Sequence, residues 1–156
     1  MSRLRTSMAL ASVVVAAVAC FEGVRYAAYK DPVGIPTICF GETRGVKIGD
    51  RATPAQCEKM LAASLLEHEA GMSACLKFPD SIPDKTWAAM VSFTYNVGVA
   101  AFCKSTLARH LNSGSIAAAC NQLLRWDKAG GFTLPGLTKR RRAERVLCLE
   151  GLEQGK

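Results

Sequence analysis

A chain of 156 residues with 49% hydrophobic side chains is one domain's worth of protein and can bury a core without a metal to hold it together. Its formal charge of +7 favours polyanionic partners (nucleic acid, anionic lipid or acidic cell-wall polymer) without choosing among them. Seven cysteines, at positions 20, 39, 57, 75, 103, 120 and 148 with no C-x-x-C pair, exclude a zinc ribbon. They point to disulfides formed in an oxidising compartment, with one thiol left over. The alternative is a set of buried free thiols.

Arg3 and Arg5 precede an uncharged, Ala/Val-rich stretch from Thr6 to Cys20. That stretch is shorter than the ~20 residues of a membrane span and suits the apolar region of an export signal. Ala17-Val18-Ala19 matches a cleavage pattern, but cleavage there would leave Glu22 as the third residue of the mature chain. Residues 8–22 read as a helix that is apolar on nearly every side. From Asp31 to Ala52, Gly34, Gly41, Gly45, Gly49, Pro32 and Pro36 punctuate short runs such as Thr37-Ile38-Cys39-Phe40, the texture of a small β-hairpin region. Thr53-Pro54-Ala55-Gln56 is a helix start with a capping box, and the helix is predicted to run to about Cys75. Asp84 to Val97, dense in Trp87, Met90, Val91, Phe93 and Tyr95, is a second helix at the centre of the core. Helical stretches follow near 103–112, 115–127 and 138–150, the last capped by Thr138 and ended by Gly151. The fold class is α+β, mostly helical: a small β-containing lobe followed by a helical one.

Hydrolysis of a glycosidic bond needs a protonated carboxyl for the leaving oxygen and an ionised one to activate water or stabilise the sugar cation. Glu22, closing an apolar helix where desolvation favours the proton, and Asp31, opening a polar loop, fit those roles in kind. Two acids at this spacing are common, and the residues alone also allow an exposed helix-end Glu and a turn Asp.

The segment Phe21-Glu22-Gly23-Val24-Arg25-x-x-Ala28-Tyr29-x-Asp31-x-x-Gly34-x-x-Thr37-x-x-x-Gly41 resembles the catalytic segment of phage lysozymes, glycoside hydrolase family 24. The family spacing of Glu, eight residues, Asp, five residues, Thr falls on Glu22, Asp31 and Thr37 without a gap. Phe93-Thr94-Tyr95-Asn96-Val97-Gly98, Phe102-x-x-Ser105-Thr106-Leu107, Arg125-Trp126, Gly130-Gly131 and Gly136-Leu137-x-x-Arg140-Arg141-x-x-Glu144 continue the resemblance in order. It implies a lysozyme-like fold whose two lobes flank a cleft. It also implies hydrolysis of the β-1,4 bond between N-acetylmuramic acid and N-acetylglucosamine in peptidoglycan, with inversion. Glu22 is then the general acid, Asp31 orients or activates water, and Thr37 helps to hold that water. Asn96, Arg125 and Trp126 are candidate saccharide contacts. No metal or organic cofactor and no nucleic acid is implied, and a monomer is expected. One departure is Gly41-Glu42-Thr43, where the family commonly has Gly-His-Thr.

Some members of this family carry a signal-anchor-release segment, a weakly apolar helix exported uncleaved and later freed from the bilayer, and residues 6–20 resemble one. The domains expected are therefore 1–20, an uncleaved signal-anchor-release segment, and 21–152, the lysozyme domain. The protein is expected on the periplasmic side of the bacterial inner membrane, then free in the periplasm after a holin-type partner triggers release. Cys20 is the natural odd thiol, either a redox exchanger or a spectator. Even spacing suggests Cys39–Cys57, Cys75–Cys103 and Cys120–Cys148, although sequence leaves connectivity open. Glu67-His68-Glu69 and the basic run from Lys139 to Arg145 read as solvated helix faces, with an ion pair plausible among Arg140, Arg141 and Glu144. The alternatives are a lytic transglycosylase, which would leave a 1,6-anhydro sugar, and a basic membrane-active protein without catalysis.

Overall fold

The computed structural model describes residues 2–153. In chain order it comprises α1 (Arg3–Thr6), α2 (Met8–Glu22), the strands β1 (Arg25–Lys30) and β2 (Pro36–Cys39), then α3 (Pro54–Ala74) and α4 (Asp84–Val97). There follow α5 (Val99–Lys104), α6 (Thr106–Asn112), α7 (Ile116–Gln122), the short strands β3 (Lys128–Ala129) and β4 (Phe132–Thr133), and α8 (Pro135–Glu153). Single 3-10 turns lie at Pro79–Ser81 and Leu123–Arg125.

Helix α4 is the hub. Every residue from Thr86 to Thr94 is buried, so the helix is covered on all sides, with α8, α2 and α3 as its main neighbours. Helix α2 presents Leu10, Val14 and Val18 at successive four-residue steps, and this stripe is buried. Helix α3 begins with the capping box on Thr53 and Gln56 and buries Cys57, Leu61, Leu65, Glu69 and Met72 along one face. Glu69 is therefore not on a solvated face: only 1% of it is exposed, whereas its neighbour Glu67 is exposed. Burial of a carboxylate needs dedicated partners, and Glu69 has them, as described below.

The hairpin pairs β1 with β2 in antiparallel register, Tyr29 opposite Thr37 and Lys30 opposite Pro36, with a shift between Arg25 and Tyr29. It starts six residues before the Gly/Pro-rich region in which strands were expected, because Arg25–Lys30 pairs back on β2 and through Ala27 on Arg51. Three disulfides fasten the elements: Cys39–Cys57 ties the hairpin to α3, Cys75–Cys103 ties the end of α3 to α5, and Cys120–Cys148 ties α7 to α8. Cys20 is unpaired and exposed.

The stretch expected as one helix near 103–112 is split at Ser105, whose extended backbone ends α5 and whose hydroxyl caps α6 by accepting from the Ala108 amide. The helix expected to reach 127 tightens into a 3-10 turn after Gln122. The last helix starts at Pro135, not Thr138: proline suits a first helical turn, and the Thr138 hydroxyl donates to Leu134 O and Asp127 instead of capping. Gly151 does not end α8 but lies buried inside it, where a Cβ would come within 2.4 Å of Thr86 Oγ1. The basic run of α8 is likewise not a solvated face throughout, since Arg140, Arg141 and Glu144 are buried. Among the described residues no helix is long and apolar enough to cross a membrane.

Candidate active site

Glu22 is the last residue of α2, and Gly23 caps the helix at φ +65°, a left-handed conformation that costs a side-chain-bearing residue strain. The turn sends the chain into β1 and leaves the Glu22 carboxyl at the helix end. The apolar setting expected for Glu22 is absent. The apolar stripe of α2 ends at Val18, and Glu22 instead meets Arg140 of α8, whose Nη1 donates to Glu22 Oε1.

Arg140 is itself held on several sides. Its Nε donates to Glu144 Oε1 at 3.0 Å, its Nη2 donates to Ser92 O of α4 at 3.1 Å, and its guanidinium lies 5.2 Å from the centre of the Phe21 ring. The Ser92 hydroxyl donates to the same Glu144 oxygen at 2.8 Å, and Arg141 Nη1 lies 2.9 Å from Glu144 Oε2. Arg141 Nη2 reaches Asn96 Oδ1, so α2, α4 and α8 meet in one charged network. Burial pushes the Glu144 carboxyl above its ordinary value despite two guanidinium neighbours, and burial lowers Arg141. The Arg140 and Glu144 side chains are only 4% and 1% exposed, which makes the network a rigid support for Glu22.

Glu22 lines a cavity of about 310 Å³ between the turn after β2, α3 and α4, together with Glu42, His68, Tyr95 and Asn96. The Tyr95 hydroxyl sits 3.0 Å from Phe40 O and 3.3 Å from Glu42 Oε1. The His68 ring centre lies 5.1 Å from that of Tyr95, and its Nδ1 is 2.7 Å from Ser64 O. Burial raises the Glu42 carboxyl, only partly offset by the Tyr95 hydrogen bond and the nearby His68, and burial with the adjacent carboxylates raises the Tyr95 phenol. Sequence reasoning missed this Glu42–Tyr95–His68 cluster. Its one signal was the Glu at position 42.

Asp31 and Thr37 sit on the hairpin and are not among the residues that line the Glu22 cavity. They are nevertheless tied to one residue. Asp31 Oδ1 accepts from the amides of Val33 at 3.0 Å and Ile35 at 2.8 Å, while Ile35 O accepts from the Asp31 amide at 3.0 Å and from the Thr37 hydroxyl at 2.9 Å. Ile35 thus contacts both side chains, Asp31 through its amide and Thr37 through its carbonyl. Of the expected saccharide contacts, Asn96 lines the Glu22 cavity; Arg125 is exposed on a 3-10 turn, and Trp126 packs edge-on against Phe93 at 5.2 Å. Among the described residues no three His, Cys, Asp or Glu side chains stand together as a metal site would require.

Residues 19–144 match the family model described as Phage lysozyme. The chain is 44% identical over 131 residues to the SAR-endolysin of Bacteriophage PS119, covering 83% of this chain and 77% of that protein. Its fold is similar to that of an endolysin from Escherichia coli O157:H7 phage FAHEc1, with a TM-score of 0.81, 31% identity and coverage of 90% of this chain and 93% of that one. It also resembles the active form of P1 phage endolysin Lyz, with a TM-score of 0.81, 28% identity and coverage of 90% and 84%. Against the secreted inactive form of the same endolysin the TM-score is 0.62, at 25% identity and coverage of 95% and 97%.

Proposed function

Because the chain belongs to the phage lysozyme family, we propose that it cuts the β-1,4 bond between N-acetylmuramic acid and N-acetylglucosamine in peptidoglycan with Glu22 as general acid. The observation that carries this reading is the Glu22 carboxyl at the end of α2, bordering a polar cavity and fixed through Oε1 by Arg140. Oε2 has no protein partner among the described residues and is the oxygen that delivers the proton to the leaving glycosidic oxygen. Proton delivery from a positioned carboxyl accelerates such steps by ~10²–10⁴-fold.

Asp31 takes the proton of the attacking water through Oδ2, since two backbone amides occupy Oδ1. Thr37 uses its hydroxyl proton on Ile35 O, so its oxygen is left to accept from that water and orient it. Attack by that water on the face of the sugar opposite the general acid inverts the anomeric carbon. Asn96 borders the same cavity and is a saccharide contact in this reading. Arg125 and Trp126 are proposed for the outer sugars, which extend past the cavity.

Residues 6–20 hold the newly exported chain in the bacterial inner membrane until release to the periplasm, and a holin-type partner supplies the trigger for host lysis. The likeness to the SAR-endolysin of Bacteriophage PS119 supports this order. So does the length of α2: its 15 residues fall short of the ~20 that a stable span needs, which makes membrane residence marginal. The test of the reaction class is digestion of Gram-negative peptidoglycan with mass spectrometry of the products. Reducing-end muropeptides are the expected result; 1,6-anhydro products would make the enzyme a transglycosylase.

A further inference from the structure

Glu69 plays no part in the chemistry at Glu22, yet it is buried on α3 with 1% of its surface exposed. Among the described residues, four donors converge on it. Trp87 Nε1 of α4 donates to Oε1 at 2.9 Å, the amides of Arg3 and Leu4 donate to the same oxygen at 2.9 and 3.0 Å, and the Ser2 hydroxyl donates to Oε2. Three of the four therefore come from residues 2–4, and only the indole comes from the body of the domain. The same arm makes further contacts around the seat. Arg3 Nη1 donates to Ile82 O at 2.8 Å, Nη2 pairs with Asp84, and the guanidinium lies 4.8 Å over the Trp87 ring. The Leu4 side chain is buried beside them. A carboxylate enclosed to this degree needs several hydrogen bonds, and one indole N–H does not suffice.

We propose that Glu69 with Trp87 is a binding seat whose ligand is the chain's own amino-terminal arm, residues 2–6, and that docking of the arm sets the position of α2 and hence of Glu22. The connection between arm and helix is direct. The Ser7 amide donates to Arg3 O at 3.0 Å, the Ser7 hydroxyl caps α2 by accepting from the Leu10 amide at 3.2 Å, and Ser7 O accepts from the Ala11 amide at 3.0 Å. With the arm seated, the rotation of α2 about its axis is fixed at its first turn, and Leu10, Val14 and Val18 face the core. The order of events rests on the membrane reading above. While residues 6–20 lie in a bilayer, residues 2–4 are on its far side and the seat is empty. Arrival of the arm completes the fold after release, and the basic residue that marks the export signal, Arg3, becomes a structural contact of the free enzyme.

The test is amide exchange by NMR on the full-length protein in solution, comparing wild type with Glu69→Ala and with Leu4→Asp, which undocks the arm from the opposite side. The expected result is that the Arg3 and Leu4 amides exchange at least about tenfold faster in both variants while α3 and α4 stay protected, with a matching change in Trp87 fluorescence. Unchanged protection of Arg3 and Leu4 in Glu69→Ala overturns the proposal. So does loss of α3 and α4 protection in Glu69→Ala alongside an undisturbed arm in Leu4→Asp, which would make Glu69 a core strut. A wild-type protein that never associates with anionic vesicles would remove the release step, and the exchange result in solution would still decide the seat.

Discussion

Arg140 is the side chain whose loss the structure prices most directly. Replacing it with Met removes the donor to Glu22, one of two guanidinium partners of Glu144, and a bond to Ser92 O, while the Met stem still covers Phe21. Breaking one side of a buried ion pair costs about 3–5 kcal/mol, because the abandoned charge stays buried. Arg141 and the Ser92 hydroxyl remain beside Glu144, which places Arg140→Met near the lower end, at about 3 kcal/mol. For a domain of this size that is a fall in Tm of about 6–12 °C. The freed Glu22 carboxyl also loses its fixed position, and a displacement on the order of 1 Å costs about 100-fold in rate. Arg140→Lys, which keeps the charge without the planar fork, falls between Met and wild type in both respects. Urea unfolding and initial rates on peptidoglycan measure the two effects. A loss below about 1 kcal/mol with an unchanged rate would refute the view that this network supports Glu22.

Gly151→Ala should cost about 1–3 kcal/mol in chemical unfolding, because the new methyl would meet Thr86 Oγ1 at 2.4 Å and Thr86 N at 2.8 Å where α8 presses on α4. Removing the Cys120–Cys148 link with a double Ser substitution opens a loop of sequence separation 28 and should cost about 3.5 kcal/mol on the chain-entropy account, read by urea unfolding. Glu42 carries a pH signature. Its folded-state affinity for a proton is raised above the ordinary carboxyl value of 4.5, so the native protein binds more protons than the unfolded chain just above that pH. Stability contributed by Glu42 is therefore present below 4.5 and lost as pH rises through the folded value, and Glu42→Gln should gain on wild type across that window. A stability difference that does not vary with pH would contradict the burial of this carboxyl.

The parts of the fold that are legible in the sequence are those written locally. The Thr53–Gln56 capping box and the apolar content of Asp84–Val97 identify α3 and α4 because the signals lie within a few residues of the boundaries they set. The misreadings concern residues whose neighbours are distant in sequence. Gly151 looks like a helix stop until Thr86 is seen against it, and Glu69 looks solvated until residues 2–4 and Trp87 close over it. In the site, the spacing of Glu22, Asp31 and Thr37 is a property of one segment and was available from resemblance alone. The neighbours that define the surroundings of Glu22 arrive from elsewhere: Arg140 and Glu144 from α8, Ser92 and Tyr95 from α4, His68 from α3. No pattern along the chain encodes that convergence, which is why an apolar setting was expected for Glu22 and a charged one was found.

The measurement that bears most directly on the central claim is the rate of muropeptide release from purified peptidoglycan by wild type and by Glu22→Gln, each also assayed for sedimentation with the insoluble substrate. With Glu22 as the general acid, Glu22→Gln should still bind but release product at least ~100-fold more slowly. A folded, binding-competent Glu22→Gln that releases muropeptides at the wild-type rate would contradict the assignment.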